Sequence, residues 1–336
     1  MNALFCGIDL GTRASAICVV DNNKKVIREW SGKNTELARV IKQYCPNVLC
    51  VVESSPLAET VCKWIEELGG KIEIVDSRHT KAILCAKKKT DRIDAKVLAE
   101  LAQMGWYRSV FRKDGKAREQ RSFLIARNQI VKSATAMKNA IRGVFKASGV
   151  VLSKGQDGAA FIRAVRQSMK ELPPLVQESI RSLLGCWAEL HRSQARMYRK
   201  LTKVAEKDKT ASLLMTVPGV GAATALGFVS TISNPQRFAD KKQVASYLGL
   251  APRVHQSGDT SYHGPITKQG DPLLRWLLCE AANSILTRVK QSFPLREWGL
   301  KLAEKIGMAK AKVAVARKLA ELLFTMWKTE KAFSVG

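Results

Sequence analysis

The stretch FCGIDLGTRAS, residues 5–15, decides the fold. A short apolar run ends on Asp9, and Leu10-Gly11-Thr12 follows. An acid at the end of a strand, followed by a tight turn, suits two chemistries. Backbone N–H groups of the turn can cradle phosphates, or the carboxylate can be the first oxygen ligand of a divalent metal. Residues 3–10 predict a strand. SAICVVD (15–21) and KVIREW (25–30) predict the next two, joined by a turn at Asn22-Asn23.

Outward from there the pattern alternates. Residues 35–44 suit a helix, and NVLCVVESS (47–55) is a continuous apolar strand of the kind buried on both faces. A helix over 57–68 ends at Gly69-Gly70. KIEIVD (71–76) is another strand, and helices follow over 78–86 and 91–104. Three successive strands and then alternating helix and strand predict a mixed α/β sheet.

Four acids stand at telling places in this pattern. Asp9 ends the first strand, and Glu53 ends the buried strand. If those strands are neighbours, both carboxylates emerge at one edge, and a buried strand ending in Glu needs a reason because an unpaired buried charge is costly. Asp91 and Asp94 lie at i and i+3 on one helix face. Taken singly, each has a plain structural reading. Asp9 can terminate a strand, Glu53 can pair with a lysine, and Asp91 and Asp94 follow Thr90, a good N-cap, in a first turn that favours acids. Converging, they would repel by roughly 4 kcal/mol per pair at about 4 Å and an effective dielectric near 20. Such a set persists with cations, and hard oxygen ligands indicate Mg2+ or Mn2+. The phosphate-cradling reading, that of sugar kinases and actin-like ATPases, needs a second phosphate loop and an adenosine-binding Gly-rich segment. The sequence contains neither.

From about 116 to 208 strand signals vanish. Ile180, Leu183, Leu184, Trp187, Leu190, Met197, Leu201 and Val204 recur at helical steps, as do apolar residues over 117–147. Long helices are expected, as a hairpin, a bundle or a dimerising coiled coil. A third, mostly helical unit begins near 211 and ends in a Lys/Arg-rich helix over 308–328. The expected domains are 1–112, 113–209 and 210–336. In LLMTVPGVGAATALGFV (213–229) two apolar helical stretches flank Pro218-Gly219-Val220-Gly221, like a helix-hairpin-helix. There Gly219 and Gly221 would bring backbone N–H groups to a nucleic-acid phosphate; the alternative is an ordinary packing corner. A polar Gly-rich loop is expected over 252–271. In it Ser257-Gly258 is flanked by Arg253, His255, His263 and Lys268, with Arg275 just beyond. Spacing alone makes that serine a surface turn residue, and the histidines lack metal-ligand spacing.

The chain has 336 residues, with 56 Lys plus Arg against 29 Asp plus Glu, a net charge of +27. That excess favours a polyanionic partner, nucleic acid before an anionic membrane. The apolar start is interrupted by Asp9 and Arg13, so no signal peptide is expected, and no stretch is long and apolar enough to span a bilayer. The eight cysteines form no Cys-x-x-Cys pair. They read as reduced, mostly buried thiols of a cytoplasmic protein.

GIDLG with Asp9, VVESS with Glu53, KTDRIDAKVLAEL with Asp91 and Asp94, then VPGVGAATA and LGLAPRVHQSG, follow in this order across almost the whole chain. Together they resemble the DEDD recombinases of the insertion-sequence one-ten family, with its one-one-one-one subgroup, and the related Piv-type DNA invertases. The resemblance implies a ribonuclease-H-like (Holliday-resolvase-like) N-terminal domain in which Asp9, Glu53, Asp91 and Asp94 bind Mg2+. It also implies a helical coiled-coil middle and a C-terminal transposase domain supplying Ser257 as nucleophile. Ser257 would attack a DNA phosphodiester and hold a phosphoserine intermediate, so that strands are exchanged and rejoined without net hydrolysis. The implied partners are donor and target DNA, a non-coding guide RNA (bridge or seeker RNA) and further copies of the chain, as a dimer and as a tetramer of two dimers in the synaptic complex. The implied setting is cytoplasmic, nucleoid-associated when bound. Thr260, Ser261 and Tyr262 are competing hydroxyls, and Asp259 adds an acid beside Ser257. The alternatives are a metal-dependent Holliday-junction resolvase or nuclease using only the four acids, an unguided invertase, and a non-catalytic nucleic-acid-binding protein.

Overall fold

The computed structural model describes residues 3–45, 47–76, 90–153, 155–257 and 260–334. The chain divides into two compact units, Met1–Arg112 and Lys113–Gly336.

The first unit is built on a five-stranded sheet. Its strands are β1 (Leu4–Leu10), β2 (Ala14–Val20), β3 (Val26–Lys33), β4 (Val48–Glu53) and β5 (Lys71–Val75). Their order is β3-β2-β1-β4-β5. The first three run antiparallel, and β1, β4 and β5 run parallel. β1, β2 and β4 are covered on both faces, while β3 at the edge is largely exposed and carries Arg28, Glu29 and Lys33. On one face, α1 (Asn34–Lys42) and α2 (Ala58–Glu67) bury Leu37, Ile41, Val61 and Ile65 against Cys6, Ile8, Ile17, Val19, Cys50 and Val52. On the other, α3 (Asp91–Met104) packs Ala95, Leu98, Ala99 and Ala102 against Phe5, Ala16, Cys18, Val20, Val51 and Val75. The helix expected over 78–86 lies outside the described residues.

The second unit is organised by two long antiparallel helices, α4 (Gly115–Ala147) and α6 (Pro174–Lys207). At 1.5 Å per residue each is about 50 Å long. Each contributes to two separate cores. At one end Ile141, Phe145, Ile180 and Trp187 pack with Phe161 and Val165 of the short α5 (Gly158–Ser168), the Phe161 and Trp187 rings meeting edge to face at 4.8 Å. At the other end Leu124, Leu201 and Ala205 enter the main core. That core is shared by α7 (Lys209–Leu214), α8 (Ala222–Ile232), α9 (Lys241–Tyr247), α10 (Pro272–Thr287), α11 (Pro294–Ile306) and α12 (Met308–Thr329). No helix among the described residues is long and apolar enough to cross a membrane.

Within the expected loop over 252–271, the described residues form two antiparallel strands, β6 (Pro252–Ser257) and β7 (Thr260–Ile266). The sequence signal is weak because PRVHQS and TSYHGPI lack an apolar face.

The cysteines carry no disulfide among the described residues. Cys6, Cys18, Cys50 and Cys62 are buried, whereas Cys186 is exposed. Burial pushes the Cys18 and Cys62 thiols up to about 11, so they stay protonated and unreactive.

The acidic strand edge and the serine hairpin

Ile8 of β1 stands opposite Val52 of β4 in parallel register. Asp9 and Glu53 are the next residue on each strand, and Glu53 pairs in turn with Val75. Side chains alternate along a strand. Cys6 and Ile8, with Cys50 and Val52, face α1 and α2. Phe5 and Val51 face α3, and Asp9 and Glu53 share their parity. Both acids therefore leave the same end of the sheet on its α3 side.

The direction of α3 completes the arrangement. Its middle, Ala95 to Ala99, lies on Gly7, where a Cβ would come within 2.0 Å of the Ala95 carbonyl oxygen and 2.4 Å of the Ala99 nitrogen. Its last turn lies nearer the beginning of β1: Gln103 Nε2 donates to the Asn22 carbonyl at 3.0 Å, just past Val20, the partner of Phe5. The helix thus runs back along β1, and its first turn, with Asp91 and Asp94, lies at the end of the sheet where Asp9 and Glu53 emerge. Thr90 caps that turn, its Oγ1 accepting the Ile93 N–H at 3.3 Å.

Asn34 was not legible as a site residue. Its side-chain amide donates to the Gly11 carbonyl at 3.0 Å and its Oδ1 accepts the Ser15 hydroxyl at 2.6 Å. Its backbone N–H reaches the Arg13 carbonyl at 3.1 Å. It therefore fixes the turn that follows Asp9. The only sequence signal was an Asn at the start of a helix.

Four carboxylates, oxygen donors without His or Cys, match a hard divalent cation in kind. Among the described residues, no three of His, Cys, Asp and Glu are drawn close enough to hold an ion.

The second unit presents the remaining predicted residues. Ser257 is the last residue of β6 and pairs with Thr260; Gly258 and Asp259 lie outside the described residues. Arg253 and Lys268 are exposed, Lys268 in the left-handed region at φ 57°. Arg275 is half-buried and donates from Nη1 to the Leu248 carbonyl at 3.1 Å, tying α10 to the end of α9. The two glycines of the 218–221 turn differ. Gly219 has φ 92°, and a Cβ on it would lie 2.7 Å from Ile285 Cγ1 of α10, so packing within the chain accounts for it. Gly221 is exposed at the N-cap of α8, with nothing near its Cβ position.

Comparison with known proteins covers both units. The profile of a DEDD transposase family matches residues 6–148, and that of the transposase IS116/IS110/IS902 family matches residues 211–296. The chain is 27% identical over 343 residues to the transposase for insertion sequence element IS1111A of Coxiella burnetii, across 98% of this chain and 91% of that one. It is 25% identical to a probable family 20 transposase of Pseudomonas aeruginosa, over 100% of both chains. It is 31% identical over 131 residues to the pilin gene-inverting protein of Moraxella bovis, 38% of this chain and 40% of that one. With both profiles matched in order along the chain, it belongs to the IS116/IS110/IS902 family of transposases, enzymes that recombine DNA.

Proposed function

We propose that this transposase cuts and rejoins DNA through Ser257, with Asp9, Glu53, Asp91 and Asp94 holding Mg2+ or Mn2+. The placement of Asp9 and Glu53 at one end of the sheet, with Asp91 and Asp94 in the first turn of the helix that covers it, supports the reading. The strand order β3-β2-β1-β4-β5, antiparallel then parallel, supports a ribonuclease-H-like first unit. A bound divalent ion would supply charge neutralisation at the phosphate and lower the pKa of an attacking hydroxyl.

The chain's own residues do the rest. The Ser257 hydroxyl attacks a backbone phosphorus. The Oγ–P bond forms, a P–O bond of the strand breaks, and the released hydroxyl end takes up the proton. Attack by a hydroxyl end on the phosphoserine reverses these changes, joins the strand and restores Ser257 without hydrolysis. Ser257 ends β6, where its backbone is held by the pair with Thr260. Gly221, with an open N-cap, and the exposed Arg253 and Lys268 suit backbone phosphates. The +27 charge suits a load of two nucleic acids, DNA and a structured guide RNA. The paired long helices α4 and α6 suit assembly into dimers and a tetramer of two dimers.

The test is to trap the intermediate. The full chain, with RNA co-purified from cells carrying the element's flanks, is incubated with DNA spanning the element's end and Mg2+, then denatured. A protein–DNA adduct mapping by mass spectrometry to Ser257, absent in Ser257→Ala, is expected. Cleavage that persists in Ser257→Ala points instead to a nuclease using only the four acids. An adduct at Thr260, Ser261 or Tyr262 moves the nucleophile.

A further inference from the structure

The solvent face of α6 changes character along its length. Up to Arg192 its cations are matched by acids on the same helix. Arg181 meets Glu178 at 3.2 Å, and Arg192 meets Glu189 at 2.7 Å. Beyond Arg192 they are not. Arg196, Arg199, Lys200, Lys203 and Lys207 are all exposed. Arg196 is 4.0 Å from Glu189. Among the described residues no acid pairs with Arg199, Lys200, Lys203 or Lys207. At 3.6 residues per turn the five cations fall on the side of α6 away from Leu201 and Ala205, which enter the main core.

Residues three and four apart on a helix are neighbours, and like charges there destabilise it. Arg196 stands at that spacing from Arg199 and Lys200, and Lys203 from Arg199, Lys200 and Lys207. Glu206 is the one acid between 193 and 207. The helix therefore carries a row of mutually repelling cations where its earlier turns interleave glutamates.

An outside polyanion offsets such a row. From Arg196 to Lys207 it is about 16 Å long, and duplex DNA carries about five phosphates per strand over that distance. Tyr198 and Val204, the exposed apolar residues of this stretch, lie to either side of the row, so its centre offers a membrane nothing to insert. The same face of a second copy would be repelled. No Asn or Gln stands between 196 and 207 to read base edges. We infer that this face of α6 is a docking surface for the backbone of duplex DNA, holding the strands without reading their sequence. The inference rests on the DNA-recombining activity of the family and is independent of Ser257.

The experiment measures binding of the full chain to duplex DNA across a salt series, once with the element's own end and once with an unrelated sequence. A double variant, Arg199→Gln with Lys203→Gln, is compared with wild type, and Arg181→Gln on the same helix is the control. Gln keeps the helix propensity, so circular dichroism melts without DNA should place the double variant at or above wild type. Binding to both duplexes is expected to weaken roughly tenfold per cation removed near about 0.1 M salt, and the slope of log K against log salt to fall by about 2. Arg199→Lys with Lys203→Arg keeps the charges and should bind like wild type, as should Arg181→Gln. Unchanged affinity and slope in the double variant overturn the docking surface, even when the wild type forms the Ser257 adduct. An equal loss per charge in Arg181→Gln overturns it too, since net charge alone then accounts for the effect. A loss confined to an RNA duplex of the same length overturns the assignment to DNA. A wild type that forms no adduct while the double variant shows the slope change sinks the serine chemistry and leaves the surface standing.

Discussion

Gly7 of β1 and Ala95 of α3 are in direct backbone contact, so close that a Cβ on Gly7 would lie 2.0 Å from the Ala95 carbonyl oxygen. This contact sets the distance between the strand that ends in Asp9 and the helix that begins with Asp91 and Asp94. Gly7→Ala must push α3 off the sheet, at a cost of about 3 kcal/mol. Urea melts of the variant should show that loss, and DNA cleavage should fall with it even where the protein remains folded.

Thr90 anchors the first turn of α3 through the Ile93 N–H. Thr90→Ala should cost about 1 kcal/mol and loosen the two acids that follow. Thr90→Ser keeps the acceptor and should behave like wild type. Equal cleavage rates in the alanine and serine variants would show that the cap does not position Asp91 and Asp94.

If the four acids share a cation, divalent metal should stabilise the wild type and not the neutralised variants. Adding Mg2+ or Mn2+ at tenfold its dissociation constant raises stability by about 1.4 kcal/mol. Thermal melts should show the shift for wild type and its loss in Asp9→Asn and Glu53→Gln. In metal-free buffer both variants should be as stable as wild type, since neutralising one member relieves repulsion within the set.

Arg112 closes the first unit onto α2. Its Nη2 meets Glu59 at 3.0 Å and Glu66 at 3.1 Å, and its Nε meets Glu59 at 3.2 Å. Bonding to both carboxylates holds its guanidinium charged, well above the usual arginine range. Arg112→Ala should destabilise the unit by about 1–2 kcal/mol, and Arg112→Lys should recover less than half, because an ammonium cannot fork between two carboxylates. Guanidine melts of the three proteins decide this.

Lys113 titrates near 8 in the folded chain, against 10.5 for an ordinary lysine, because it is half-buried and faces Arg121 and Arg237 with only Asp271 in opposition. Between those values the unfolded chain binds more protons than the folded one, so this residue makes stability rise with pH across that window. Below pH 8 the charged ammonium carries its full penalty, about 3 kcal/mol. Lys113→Met should therefore be more stable than wild type at pH 7, with the difference narrowing as pH climbs toward 10.5. A pH-independent difference between the two would show that the lysine charge is not the cause.

The sheet and its acids were legible because their signals are local. Apolar runs of strand length, the Asn22-Asn23 turn and the Gly69-Gly70 stop each reflect the conformational preferences of a few residues. Asp9, Glu53, Asp91 and Asp94 stood out as charges at the ends of those runs. The segment at Ser257 reads as a loop in sequence because it shows no alternating apolar pattern, and only the pairing of β6 with β7 reveals the ladder. The sequence of the 218–221 turn suits either a phosphate-facing helix-hairpin-helix or a packing corner, and only the fold shows that Ile285, sixty-six residues further along the chain, packs against Gly219.

By itself, then, the sequence determined the strands of the first unit and the long helices of the second, that the chain bears a large positive charge, and that four acids stand near element ends. These follow from propensity, periodicity and composition, which act over a few residues or over the whole chain at once. Only the tertiary structure decided that β1 lies between β2 and β4, that Asp9 and Glu53 leave on the same side, and that α3 runs back along β1 to bring Asp91 and Asp94 to their end. Those relations depend on which distant segments share a core, and close packing, as at Gly7 against Ala95, fixes them.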